Sequence, residues 1–85
     1  MRNGVIIDDR DNVVVAIYPL HAGDEVTYAL PGGKSGHLVA NQEIPLFHKL
    51  ARKDIKAGEA VVKYGEFIGQ ATCDIKAGDH VHTHN

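Results

Sequence analysis

The segment "IKAGEAV" (residues 55–61) decides how this chain is read, because it occurs again with small changes as "LHAGDEV" at 20–26 and "IKAGDHV" at 75–81. Each copy runs apolar residue, any residue, Ala, Gly, acid, any residue, Val. Gly23, Gly58 and Gly78 provide the backbone freedom a tight turn can need, and the acid that follows keeps each turn in water before the next extended run. The copies therefore read as entrances to strands. "DIKAG" recurs identically at 54–58 and 74–78, too few units for a solenoid but enough to indicate similar turns in one small β-structure.

Outward from these turns the chain alternates short β-branched runs with breakers. Val13–Ile17, Ala60–Tyr64, Phe67–Ala71 and Val81–His84 read as strands. "KYGEFIG" (63–69) reads as a hairpin with Gly65 and Glu66 in its loop, and "LPGGKSG" (30–36) as a loop tip. Gly, Pro and β-branched residues interrupt nearly every window long enough for a helix. A short helix between Asn41 and Lys53 is the one candidate, against which Pro45 argues for an extended entry. The expectation is a single all-β domain over residues 1–85, with short strands and irregular connections.

Composition narrows the partners. Eighty-five residues, 44% of them hydrophobic, with a net charge of −2, describe an ordinary globular domain with a thin core. No apolar run reaches bilayer length, and "MRNGVIIDDRD" lacks a signal-peptide pattern, so a cytoplasmic protein without a membrane partner is expected. The lone Cys73 agrees with a reducing compartment. Lys and Arg are scattered rather than gathered into a stripe, which argues against nucleic acid.

The chemistry-bearing stretch is the end, "GDHVHTHN" (78–85), where His80, His82 and His84 alternate. On a strand they share one face. Neighbours two apart have Cα atoms about 6.6 Å apart, within reach of one metal ion, whereas His80 and His84 would lie about 13 Å apart. At most two imidazoles of this strand should serve one ion, with a third ligand from elsewhere. His48, in the apolar "LFHKLA", is the best outside donor; His21 and His37, near glycines, read as exposed. Asp8, Asp9 and Asp11 around Arg10 lack the Gly and distal Glu of a calcium loop and read as a solvated turn. Cys73 reads as a small packing residue rather than a nucleophile. Lys63 and Tyr64 read as an exposed lysine beside a packed tyrosine.

"DNVVVAIYPLHAGDEV", "IPLFHKLARKDIKAGEAVVKYGEFIGQAT" and "IKAGDHVHTHN" together resemble the small N-terminal SAF domain of the altronate and galactarate dehydratases, leaving only the segment around 27–40 unmatched. The resemblance implies a β-clip fold and a hydro-lyase acting on a sugar-acid substrate with a divalent metal such as Fe2+, Mn2+ and Zn2+ being alternatives. It also implies a large catalytic dehydratase subunit or domain as partner; self-association of the chain is left open. Carried over by motif, His48 matches the histidine of a G-H-K, with Phe47 in place of the Gly. His82, His84 and Asn85 match a terminal H-x-H-N, and Lys63 and Tyr64 a K-Y-G. On this basis His82, His84 and His48 are the candidate metal or substrate ligands, with Asn85, Lys63 and Tyr64 supporting. No residue here is a convincing base for proton abstraction, so the isolated chain is expected to be inactive. The small subunit of sulfolactate sulfo-lyase shares the V-H-T-H-N ending, and a docking module without catalytic residues is the rival of a different kind.

Overall fold

The computed structural model describes residues 2–6, 8–30 and 32–82. Among these there is no helix; the chain forms eight short strands, as an all-β SAF-like domain should. They are β1 (Gly4–Val5), β2 (Val13–Ala16), β3 (Glu25–Ala29), β4 (Ser35–Val39), β5 (Lys49–Ala51), β6 (Ala60–Lys63), β7 (Glu66–Gln70) and β8 (His80–Val81). Six make one sheet in the order β4-β3-β1-β2-β5-β8, and β6 and β7 form a separate hairpin. All pairings are antiparallel except β1 with β3.

The three Gly turns do what the repeat predicts, and hydrogen bonds show why the acid is there. Gly23, Gly58 and Gly78 have φ of 91°, 87° and 90°, the third position of a type II turn. In each, the acid closes the turn twice. The backbone N–H of Asp24, Glu59 or Asp79 donates to the carbonyl three residues back. Its carboxylate then accepts the N–H of that same residue, His21, Lys56 or Lys76, at 2.8, 2.8 and 3.0 Å.

A fourth turn of the same build, Pro45–His48, carries no glycine. Phe47 takes the left-handed position at φ 65°, and the His48 N–H donates to the Pro45 carbonyl at 3.0 Å. All four turns then dock alike. The N–H of Gly23, Phe47, Gly58 and Gly78 donates at 2.8 Å to the carbonyl of Ala40, Ala16, Ala71 and Ala51 respectively, and each alanine N–H donates back to the residue after the turn's left-handed position. The apolar residues that open the turns meet in pairs, Leu20 with Ile44 and Ile55 with Ile75.

Residues 16–50 and 51–81 thus repeat one scheme, and the core follows it. One buried cluster contains Ala16, Leu20, Val26, Ala40, Ile44 and Leu50; the other contains their counterparts Ala51, Ile55, Val61, Ala71, Ile75 and Val81. The β2–β5 pair lies between them, since Val14 and Leu50 face the first cluster while Val13 and Ala51 face the second. Asn12 ties in the hairpin: its amide donates to the Ala60 carbonyl at 2.8 Å and accepts the Val62 N–H at 2.7 Å.

Several local expectations shift. The hairpin loop is Tyr64–Gly65 rather than Gly65–Glu66, because both central residues have positive φ (56° and 74°), the backbone of a two-residue type I′ turn. The helix considered between 41 and 53 is absent; Pro45 opens the fourth turn and the chain continues into β5. Strands β1, β3, β4 and β5 lie outside the four expected runs, and β8 begins one residue earlier, at His80. The loop expected at 30–36 ends sooner, because Ser35 and Gly36 already belong to β4, paired with Ala29 and Tyr28.

Candidate functional site: an imidazole cluster beside a lysine-lined cavity

Pairing of β5 with β8 sets the site. Lys49 is opposite Val81 and Leu50 opposite His80, so the same register brings His48 across from His82. Strand alternation then puts His48, His80 and His82 on one side of the pair, at the edge of the first core cluster, to which Leu50 belongs. The imidazole ring centroids lie 4.1 Å apart for His48 and His82, 5.0 Å for His48 and His80, and 5.8 Å for His80 and His82, with planes within 23° of parallel. One nitrogen of each ring falls within 4.8 Å of the others. His48 Nδ1 and His80 Nε2 are 2.8 Å apart, which requires a proton on one and a lone pair on the other. His48 and His80 are half-buried and His82 is exposed, so the cluster opens outward.

The donor set fits a transition-metal ion. Nitrogens at about 2.0–2.1 Å from one ion stand roughly 3–4 Å from each other, so holding an ion would require the stacked rings to rotate until their lone pairs converge. His80 is the member of the cluster that the sequence did not single out. Spacing along the strand separates it from His84, whereas in the structure it joins His82 and the cross-strand His48. The alternation of His80 and His82 signalled a shared face; the register with β5 carried the rest. His84 and Asn85 lie outside the described residues. Lys63 and Tyr64 sit apart, at the β6–β7 turn, with Lys63 Nζ 4.8 Å from the centre of the Tyr64 ring.

On the other side of β5 a cavity of about 280 Å³ is lined by Lys49, Val61, Ile68, Gly69, Gln70, Thr72, Val81 and His82. His82 borders both this cavity and the imidazole cluster. Burial pushes the Lys49 amine below its ordinary pKa, and the nearby charge of Lys63 pushes in the same direction.

The remaining candidates resolve as structural or exposed groups. Asp8 is bound twice by the Arg10 side chain at 2.9 Å, which holds its carboxyl at about 2. Asp11 accepts the backbone N–H of Gly65 at 2.7 Å. This is a turn locked by its own charges. Arg52, on a second cavity beside it, donates to the carbonyls of Asp9 and Asp11. His21 and His37 are exposed, near Glu43 and Glu25. Cys73 is exposed, which corrects its reading as a packing residue: the buried position of that segment is taken by Ala71. Tyr64 is likewise exposed rather than packed.

A clip of short strands this size, with three of its six imidazoles gathered at one strand pair, defines a small β-domain with one concentrated donor site among the described residues. The chain belongs to the SAF-domain family of the altronate/galactarate dehydratases, whose family model matches residues 2–85. It is 52% identical over 48 residues to (2R)-sulfolactate sulfo-lyase subunit alpha of Paracoccus pantotrophus, covering 56% of this chain and 72% of that protein. It is 32% identical over 83 residues to the corresponding subunit of Chromohalobacter salexigens, covering 94% and 88%. Altronate dehydratase of Escherichia coli K12 is 43% identical over 75 residues, 88% of this chain but 14% of the enzyme's length.

Proposed function

We propose that this chain is the small subunit or N-terminal domain of a metal-dependent sugar-acid dehydratase in the cytoplasm, and that its imidazole cluster contributes to binding the metal or the hydroxy acid. The observation that carries this reading is the convergence of His48, His80 and His82, three neutral-capable nitrogen donors from two strands, in a chain of a dehydratase SAF family. Imidazole suits divalent iron, with zinc or manganese as substitutes. A divalent ion so held would supply Lewis acidity, stabilising charge on the carboxylate side and polarising the departing oxygen. The chain's own part is to position that acid, with the proton-abstracting base on a large catalytic partner. The partner is also suggested by the relatives, which are a subunit alpha or a much longer enzyme. Exposed Leu46 and Phe47 beside His48, and Phe67 and Ile68 on β7, offer apolar surface for it.

The test is dehydration of altronate and galactarate by the chain with and without its large partner, alongside metal content of wild type and His48→Ala, His80→Ala and His82→Ala. Turnover only in the assembly, with metal lost in the variants, supports the reading. Turnover by the chain alone overturns it. Unchanged metal with weakened assembly would replace it by a docking module. A sulfo-lyase reading is favoured by the match across 72% and 88% of two subunit alpha relatives, and elimination of sulfite from sulfolactate by the same assembly decides for it.

A further inference from the structure

Lys49 follows His48 directly but, by strand alternation, faces the cavity on the opposite side of β5. It is half-buried, the charge of Lys63 reaches it, and among the described residues no carboxylate pairs with either lysine. An amine held partly out of water near a second cation, with no carboxylate beside it, is disfavoured on both counts. An anion would relieve both penalties. The cavity otherwise offers apolar wall from Val61, Ile68 and Val81, and the side chains of Gln70 and Thr72. Gln70 Nε2 donates to the Gly58 carbonyl at 3.3 Å, which leaves the amide oxygen able to accept. At about 280 Å³ the space lies just below the usual range of ligand pockets and suits a small acid.

We propose that this cavity is an oxyanion pocket in which the Lys49 ammonium binds the carboxylate or sulfonate of a small hydroxy acid, while Gln70 and Thr72 hydrogen-bond its hydroxyl groups. His82, which borders both the pocket and the imidazole cluster, would place the far end of the same acid towards the donor nitrogens. The proposal rests on the lyase reading for the kind of acid and adds which end of it is held, and by what.

The test is a two-dimensional amide NMR titration of the metal-free 85-residue chain at neutral pH, with sodium gluconate, sodium 2-hydroxyethanesulfonate and uncharged glucitol as probes. Saturable shifts are expected at Lys49, Gly69, Gln70 and Thr72 with at least one of the two anions and not with glucitol. Which anion acts distinguishes a carboxylate from a sulfonate site. Lys49→Met, which keeps most of the aliphatic stem, should weaken binding about tenfold or more, as loss of one charge-assisted contact does. Lys34→Met, exposed and remote in sequence, should leave it unchanged. Absence of saturable shifts with both anions up to tens of millimolar, or equal binding by Lys49→Met, overturns the proposal. Neither result touches the lyase reading, which is tested by turnover and metal content of the assembly and needs no binding to the free chain.

Discussion

The turn at Lys76–Asp79 and the turn at Pro45–His48 do the same backbone task with different residues. In the first, Gly78 adopts φ 90° at ease and Asp79 closes the turn by accepting the Lys76 N–H. In the second, a phenylalanine holds the left-handed position, and Pro45 has no N–H to offer an acid at position 48. His48 therefore closes the turn through its backbone alone, and its ring lies against those of His80 and His82. The turn that departs from the repeat is the one that contributes a residue to the imidazole cluster, as expected where local rules yield to function.

The largest test of this comparison concerns the repeat itself. Ile44 and Ile75 open these two turns and are almost wholly buried, in different core clusters. Ile44→Ala and Ile75→Ala should each cost about 2–5 kcal/mol, a large share of the roughly 4–13 kcal/mol available to a domain this small. Urea unfolding should give similar losses for both and one shared transition, because the β2–β5 pair contacts both clusters. Two separate transitions would show that the halves fold independently.

Next comes the backbone of the turns. Gly23 and Gly78 have the same positive φ, but a methyl group on Gly23 meets open space while one on Gly78 runs into the Val39 carbonyl oxygen. Gly23→Ala should cost about 1–2 kcal/mol from conformation alone. Gly78→Ala should cost clearly more and disturb His80 two residues on, measurable as a loss of thermal stability together with changed His80 ring resonances. Equal costs would mean that the Val39 loop yields freely.

These pairs also show what the sequence could reveal. Glycine followed by an acid is a local signal, so three turns and the all-β class could be read directly, whereas the start of β4 at Ser35, inside the expected loop, could not. The fourth turn could not, since nothing in "PLFH" announces a positive φ at phenylalanine. Strands β1 and β8 have two residues each and β5 has three, too short for alternation to register; they exist through their pairings. For that reason His82 and His48 were legible as candidates by spacing and motif, whereas His80 depended on the β5–β8 register. Lys49 depended on the cavity wall contributed by β6 and β7.

A smaller effect isolates the missing turn closure. His48→Asp alone should gain no hydrogen bond within the turn, because residue 45 is proline. The double variant Pro45→Lys, His48→Asp recreates the donor and acceptor of the Lys76–Asp79 turn and should exceed His48→Asp in stability by about 1 kcal/mol, the net worth of one such bond. Equal midpoints in urea for the single and double variants would mean that the fourth turn is held by its docking on Ala16 instead.

The smallest effect is carried by Phe47. Its side chain is 69% exposed, so its removal forfeits little packing, while its left-handed backbone carries a strain of about 1–2 kcal/mol that glycine avoids. Part of that gain is offset by the freedom glycine regains on unfolding, leaving Phe47→Gly more stable by roughly 0.5–1 kcal/mol. The imidazole cluster should keep its geometry, since the turn already has the shape that glycine prefers. Phe47 is exposed and adjoins exposed Leu46, so its side chain is open to contact from outside the domain. If that contact is made by the large partner, the more stable variant should assemble less tightly, by a readout opposite in sign to its urea midpoint. A variant that gains stability and assembles as well as wild type would remove Phe47 from the docking surface and leave its strain without a function.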